Sequence, residues 1–134
     1  MTDIEFLDAF ESGALNEFHH RDHIRMAWLY LRRFGFEDGS KRIIDGIKHF
    51  ARAHHQTQLY HETITWFWIR LVQHALDAFP TKDFPGLIEK FPQLCDARSI
   101  DRHYSRETLM SERARIQWCP PDQLPMPSAP DGRF

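Results

Sequence analysis

Between Phe18 and Arg33 the chain reads FHHRDHIRMAWLYLRR, and its apolar pattern leaves little choice of local structure. Ile24, Ala27, Trp28 and Leu31 recur at the spacing of one helix face, while Met26, Leu29 and Tyr30 fill the flanks. A helix that is apolar nearly all round belongs inside a helical assembly. A second stretch of this kind, LYHETITWFWIRLVQHALDAF, carries Trp66, Phe67, Trp68, Ile69, Leu71, Val72, Leu76 and Phe79 and is stopped by Pro80. With two such rods and no strand pair showing hairpin chemistry, the pattern predicts an all-α fold.

Punctuation between the rods predicts the other elements. Thr2 followed by Glu5 is a capping-box pattern that opens a short helix through Phe6, Leu7 and Phe10, ended by Gly13. Gly35 ends the central helix, and a third helix restarts at Asp38 or Ser40, running through Ile43, Ile44, Ile47 and Phe50 to about His54. Asp83 caps a brief helix from Phe84 to Phe91, closed by Pro92. Residues 99–104 and 111–118 read as one or two short helices, each with a serine where a cap is wanted. Prolines 120, 121, 125, 127 and 130 exclude regular structure beyond. The expected architecture is a single-domain up-and-down bundle over residues 1–118, with four main helices, short C-terminal helices and a Pro-rich extended tail over 119–134.

At 134 residues the chain suits one domain, and a net charge of −2 with no basic face argues against nucleic-acid binding. Cys95 and Cys119 form no C-x-x-C pair, which fits reduced thiols in a cytoplasmic protein. The N-terminal residues lack a signal-peptide pattern, and no apolar run approaches the roughly 20 residues that span a bilayer, so no membrane partner is expected.

The polar residues of interest cluster at the starts of the two rods. Short connections make sequence neighbours antiparallel, so the rods should run parallel and bring His19, His20 and His23 near Tyr60, His61, Glu62 and Thr65. Continued alternation would add His103 and Tyr104. Neutral imidazoles with a carboxylate suit a divalent metal, zinc or iron, with His20, His23 and His61 as ligands. On this reading the chain is a metal-dependent or acid–base enzyme, with Glu62, Tyr60 and His103 catalytic. Its substrate is a small organic molecule held by Trp28, Tyr30, Thr65, Trp68 and Tyr104. The competing reading makes the histidines caps and core residues of a non-catalytic module that binds a ligand or a protein, a second copy of the chain included. His61-Glu62 opens like H-E-x-x-H, but position 65 is Thr, and no G-x-S-x-G, Walker A or G-x-G-x-x-G is present.

Three blocks, FHHRDHIRMAWLYLRR, YHETITWFW and RHYSRETLMSERARIQWCPPD, together resemble a family of short bacterial proteins of unassigned activity that carry similar blocks in this order. The resemblance covers most of the chain and implies one helical domain. It adds His103, Tyr104 and Ser105 to the candidate site and implies no particular reaction.

Overall fold

A computed structural model describes residues 1–127. The protein is all-α, with no strand among the described residues. It comprises two compact units, Met1–Tyr60 and a second that begins at His61.

The first unit starts with α1 (Asp3–Glu11). Its capping box is formed as the sequence predicts: Thr2 N–H donates to Glu5 Oε1 at 2.9 Å, and Glu5 N–H to Thr2 Oγ1 at 3.1 Å. At the other end Ala14 N–H reaches Ala9 O (2.9 Å) and Gly13 N–H reaches Phe10 O (3.1 Å), a Schellman pair that needs the positive φ of Gly13 (+75°).

Next comes α2 (His20–Ala53), which is broken at Gly35, where φ is 81° and ψ 179°. A continuous helix would separate Phe18 and Phe50 by roughly 48 Å at 1.5 Å per residue. Their ring centroids lie 4.9 Å apart, so the chain doubles back at Gly35 into a hairpin of two antiparallel limbs. The expected stop at Gly35 is present. The second limb, however, resumes at Phe36 rather than at Asp38 or Ser40, because glycine alone reverses the backbone without a connecting loop. Close approach of the limbs depends on Gly39, where a Cβ would sit 2.9 Å from Tyr30 O and 3.1 Å from Leu31 Cα. Phe10 of α1 contacts both limbs, with its ring 6.4 Å from Tyr30 and 6.1 Å from Phe50. Arg25 anchors the start of α1, donating to Asp3 Oδ1 at 2.7 Å while lying over Phe6. The second limb ends in another Schellman pair, Gln56 N–H to Ala51 O and His55 N–H to Arg52 O, with His55 in the left-handed position at φ 56°. A 3-10 turn (Thr57–Leu59) leads to Tyr60.

The second unit is built on α3 (Glu62–Ala78), whose Phe67, Ile69, Leu71, Val72 and Ala75 are buried. It continues through α4 (Phe84–Lys90), 3-10 turns at Pro92–Cys95 and Ala97–Arg102, α5 (Arg106–Leu109) and α6 (Glu112–Ile116), which packs on α3. Ser111 caps α6 as expected, its Oγ accepting Ala114 N–H. Ser99 does not cap: Asp96 accepts Arg98 N–H, and the buried Ser99 hydroxyl donates to Gln93 O. Asp83 stands at the N-cap of α4 without a side-chain capping bond. Past α6 no further helix forms among the described residues, and residues 117–124, bending at Asp122–Leu124, lie hydrogen-bonded against the unit.

Candidate functional site

The imidazoles expected to pool belong to different units: His19, His20 and His23 to the first, His61 and His103 to the second. Among the described residues, no three His, Cys, Asp or Glu side chains gather closely enough to hold a metal ion. The expected ligand set of His20, His23 and His61 is therefore not assembled, for reasons visible residue by residue.

In the first unit His19 is exposed and serves as N-cap of α2, with Asp22 Oδ2 accepting its backbone N–H at 3.0 Å. His23 stacks on Phe18 at 3.9 Å, and Phe18 packs on Phe50, which stacks on His54 at 4.2 Å, so four rings form a column. Burial lowers the pKa of His23 to about 4; the positive charges of protonated His20 and His19 would reinforce the shift, and Asp22 opposes it. Burial thus favours the neutral imidazole, and its ring packs on an aromatic neighbour. His54 Nε2–H donates to Gly13 O (3.1 Å), tying the end of α1 to the end of α2.

Two expected substrate-binding residues also lie here. Trp28 is buried beneath the Arg32 guanidinium, and the Tyr30 hydroxyl donates to Glu11 Oε1 at 2.5 Å. Burial and that carboxylate raise the pKa of Tyr30 well above its ordinary value. Tyr60 has the Lys48 ammonium 4.9 Å from its ring.

In the second unit both nitrogens of His61 are committed. Nδ1 accepts Ile64 N–H (3.1 Å), capping α3, and the opposite nitrogen lies 2.8 Å from Leu109 O. A carbonyl only accepts, so Nε2 carries the proton and no lone pair is left to ligate. Thr65 Oγ1 donates back to His61 O, and Trp68 stands edge-on to Phe67. Glu62 occupies the first turn of α3, where a carboxylate suits the helix dipole.

The remaining polar members hold the C-terminal segment. Thr63, which the sequence reading passed over, donates through Oγ1 to Gln117 O (2.8 Å) and accepts Cys119 N–H (3.0 Å). Tyr104 OH donates to Cys119 O (2.5 Å). His103, buried, donates from Nδ1 to Leu124 O (2.8 Å), and its own carbonyl accepts Gln123 N–H (3.0 Å). Asp122 accepts from Ser105 N–H (2.8 Å), Ser105 Oγ (2.5 Å) and Thr108 Oγ1 (2.8 Å). Those bonds, the Ser105 side chain foremost, lower its pKa. His103, Tyr104 and Ser105 therefore do act together, as a buckle for the strap of residues 117–124. The signal for Asp122 was its place after two prolines, a turn context that orients an acidic side chain; nothing in sequence marks Thr63.

Comparison with protein-family models, with curated proteins and with solved structures returned no match.

Proposed function

We propose that this protein is a non-catalytic helical binding module whose histidine- and serine-rich blocks hold its own backbone. One observation carries the reading: His61, the central member of the predicted metal set, spends one nitrogen capping α3 and the other bridging to α5. The same holds for the hydroxyls of Tyr30 and Tyr104, expected to bind substrate, which are bonded internally. Metal analysis of tag-free protein tests it. Zinc, iron, manganese and nickel should be substoichiometric, with no uptake on titration. Stoichiometric, tight binding of any of them would return the chain to the metal-dependent class.

A second reading has a specific observation in its favour. The Nδ1–H bond from His103 to the Leu124 carbonyl fixes that imidazole in the tautomer with its lone pair on Nε2, the arrangement used to orient a general base. With Glu62 of the same unit it would serve metal-free acid–base chemistry on a small organic molecule. On this reading His103→Gln abolishes turnover while leaving the protein folded; on the module reading it alters stability alone.

A further inference from the structure

The strap is held as a bound peptide would be held. From Gln117 to Leu124 the body grips its backbone: Thr63 takes the Gln117 carbonyl and the Cys119 amide, Tyr104 the Cys119 carbonyl, and His103 the Leu124 carbonyl and the Gln123 amide. One strap side chain is read specifically, the Asp122 carboxylate, which meets three donors on Ser105 and Thr108. Between the gripped residues stand Pro120 and Pro121, which have no amide to donate and are pre-set to extended backbone.

We propose that the second unit is a receptor for an extended segment of a partner protein, one bearing a proline pair followed by an acidic residue, and that its own strap occupies the groove in cis. The inference rests on the module reading above and names the chemistry of its partner. Backbone bonds from Thr63, Tyr104 and His103 set the register, as in other modes of extended-peptide recognition. Ser105 and Thr108 select the carboxylate. The strap is suited to leave, since Asp122, Gln123 and Leu124 are exposed and Cys119 is its one buried residue among 117–124, whereas the buried apolar residues Phe67, Ile69, Leu71, Val72 and Leu87 all belong to the body. Tethering gives the strap a high effective concentration, so a partner competes well only once the carboxylate clamp is weakened.

The test titrates a fluorescent peptide copying residues 118–125, with serine in place of its cysteine, against the full chain and its Asp122→Ala variant. The variant keeps every groove residue but has lost its clamp in cis, and it should bind the peptide at least about tenfold more tightly than the unaltered chain. Replacing the peptide's own aspartate by alanine should abolish that gain. Equal binding by both chains, indifference to the peptide's aspartate, or no binding by a folded variant would overturn the proposal. Should Asp122→Ala fail to fold, hydrogen exchange on the unaltered chain decides: the Cys119 and Gln123 amides should exchange at least about a hundredfold faster than those of Leu71 and Val72. Equal protection would mean that the strap opens only with global unfolding, and the receptor reading falls. Absence of peptide binding leaves the module reading standing, whereas stoichiometric metal uptake defeats that reading and leaves the peptide titration unchanged.

Discussion

At the residue scale, the histidines are separated by what each ring nitrogen and ring face meets. His23 has a folded-state pKa of about 4 against an ordinary value near 6.5. Between those values the unfolded chain binds more protons, so the His23 contribution to stability is complete above about pH 6.5 and is lost as pH falls toward 4. At 1.36 kcal/mol per pH unit the loss is of order 3 kcal/mol. Urea midpoints at pH 7 and pH 4.5 should therefore fall less in His23→Phe, which keeps the stack on Phe18, than in the unaltered chain; equal falls would refute the assignment. His61→Ala should cost about 2–4 kcal/mol, because it removes the cap of α3 and leaves the Leu109 carbonyl unpaired. Asn at the same position can cap and should recover about 1 kcal/mol of that in chemical denaturation. His55 occupies a left-handed C′ position that glycine adopts without strain, so His55→Gly should raise stability by about 1 kcal/mol.

At the element scale, the reversal of α2 at Gly35 without a connecting loop is where the first unit departs from expectation. Gly35 is legible as a stop, since a glycine after Arg32 and Arg33 is an ordinary helix end. That the chain reverses there at once is a property of its backbone angles, which any side chain would strain. Gly35→Ala should cost about 1–3 kcal/mol. Gly39 carries no such signal, because a glycine inside a helix reads only as a weakness. Its role is the close approach to Tyr30 O and Leu31 Cα, and both are backbone atoms that cannot rotate away. Gly39→Ala should cost a comparable 1–3 kcal/mol through displaced limbs. Near-UV circular dichroism should change while far-UV helicity holds; an unchanged melting curve would show that the limbs yield freely.

At the scale of the whole molecule, the extended C-terminal segment becomes part of the second unit as far as Leu124, while expectations for residues 128–134 lie outside the described residues. About eight hydrogen bonds, each contributing roughly 1 kcal/mol net, oppose a backbone-ordering cost of about 1 kcal/mol or more for each of some eight residues. The two nearly offset one another. Truncation after Trp118 should accordingly lower the unfolding free energy by only about 1–3 kcal/mol and leave the helical circular dichroism of α3 in place. Collapse of all helical signal on that truncation would show the strap to be integral to the core.

Local physics was sufficient for the helices and their ends. The capping box at Thr2, the stops at Gly13 and Gly35, the cap at Ser111 and the break at Pro80 each depend on residues within one or two turns, so the sequence alone determined an all-α chain and most of its boundaries. It also picked out His61, His103, Tyr104 and Ser105 as residues with something to do. What they do was decided only by tertiary structure. Which ring nitrogen of an imidazole carries the proton, and so which one keeps a lone pair, depends on a carbonyl such as that of Leu109 for His61 or Leu124 for His103, 48 and 21 residues away along the chain. Residue type states how many hydrogen bonds a side chain can make; only the folded chain states with whom.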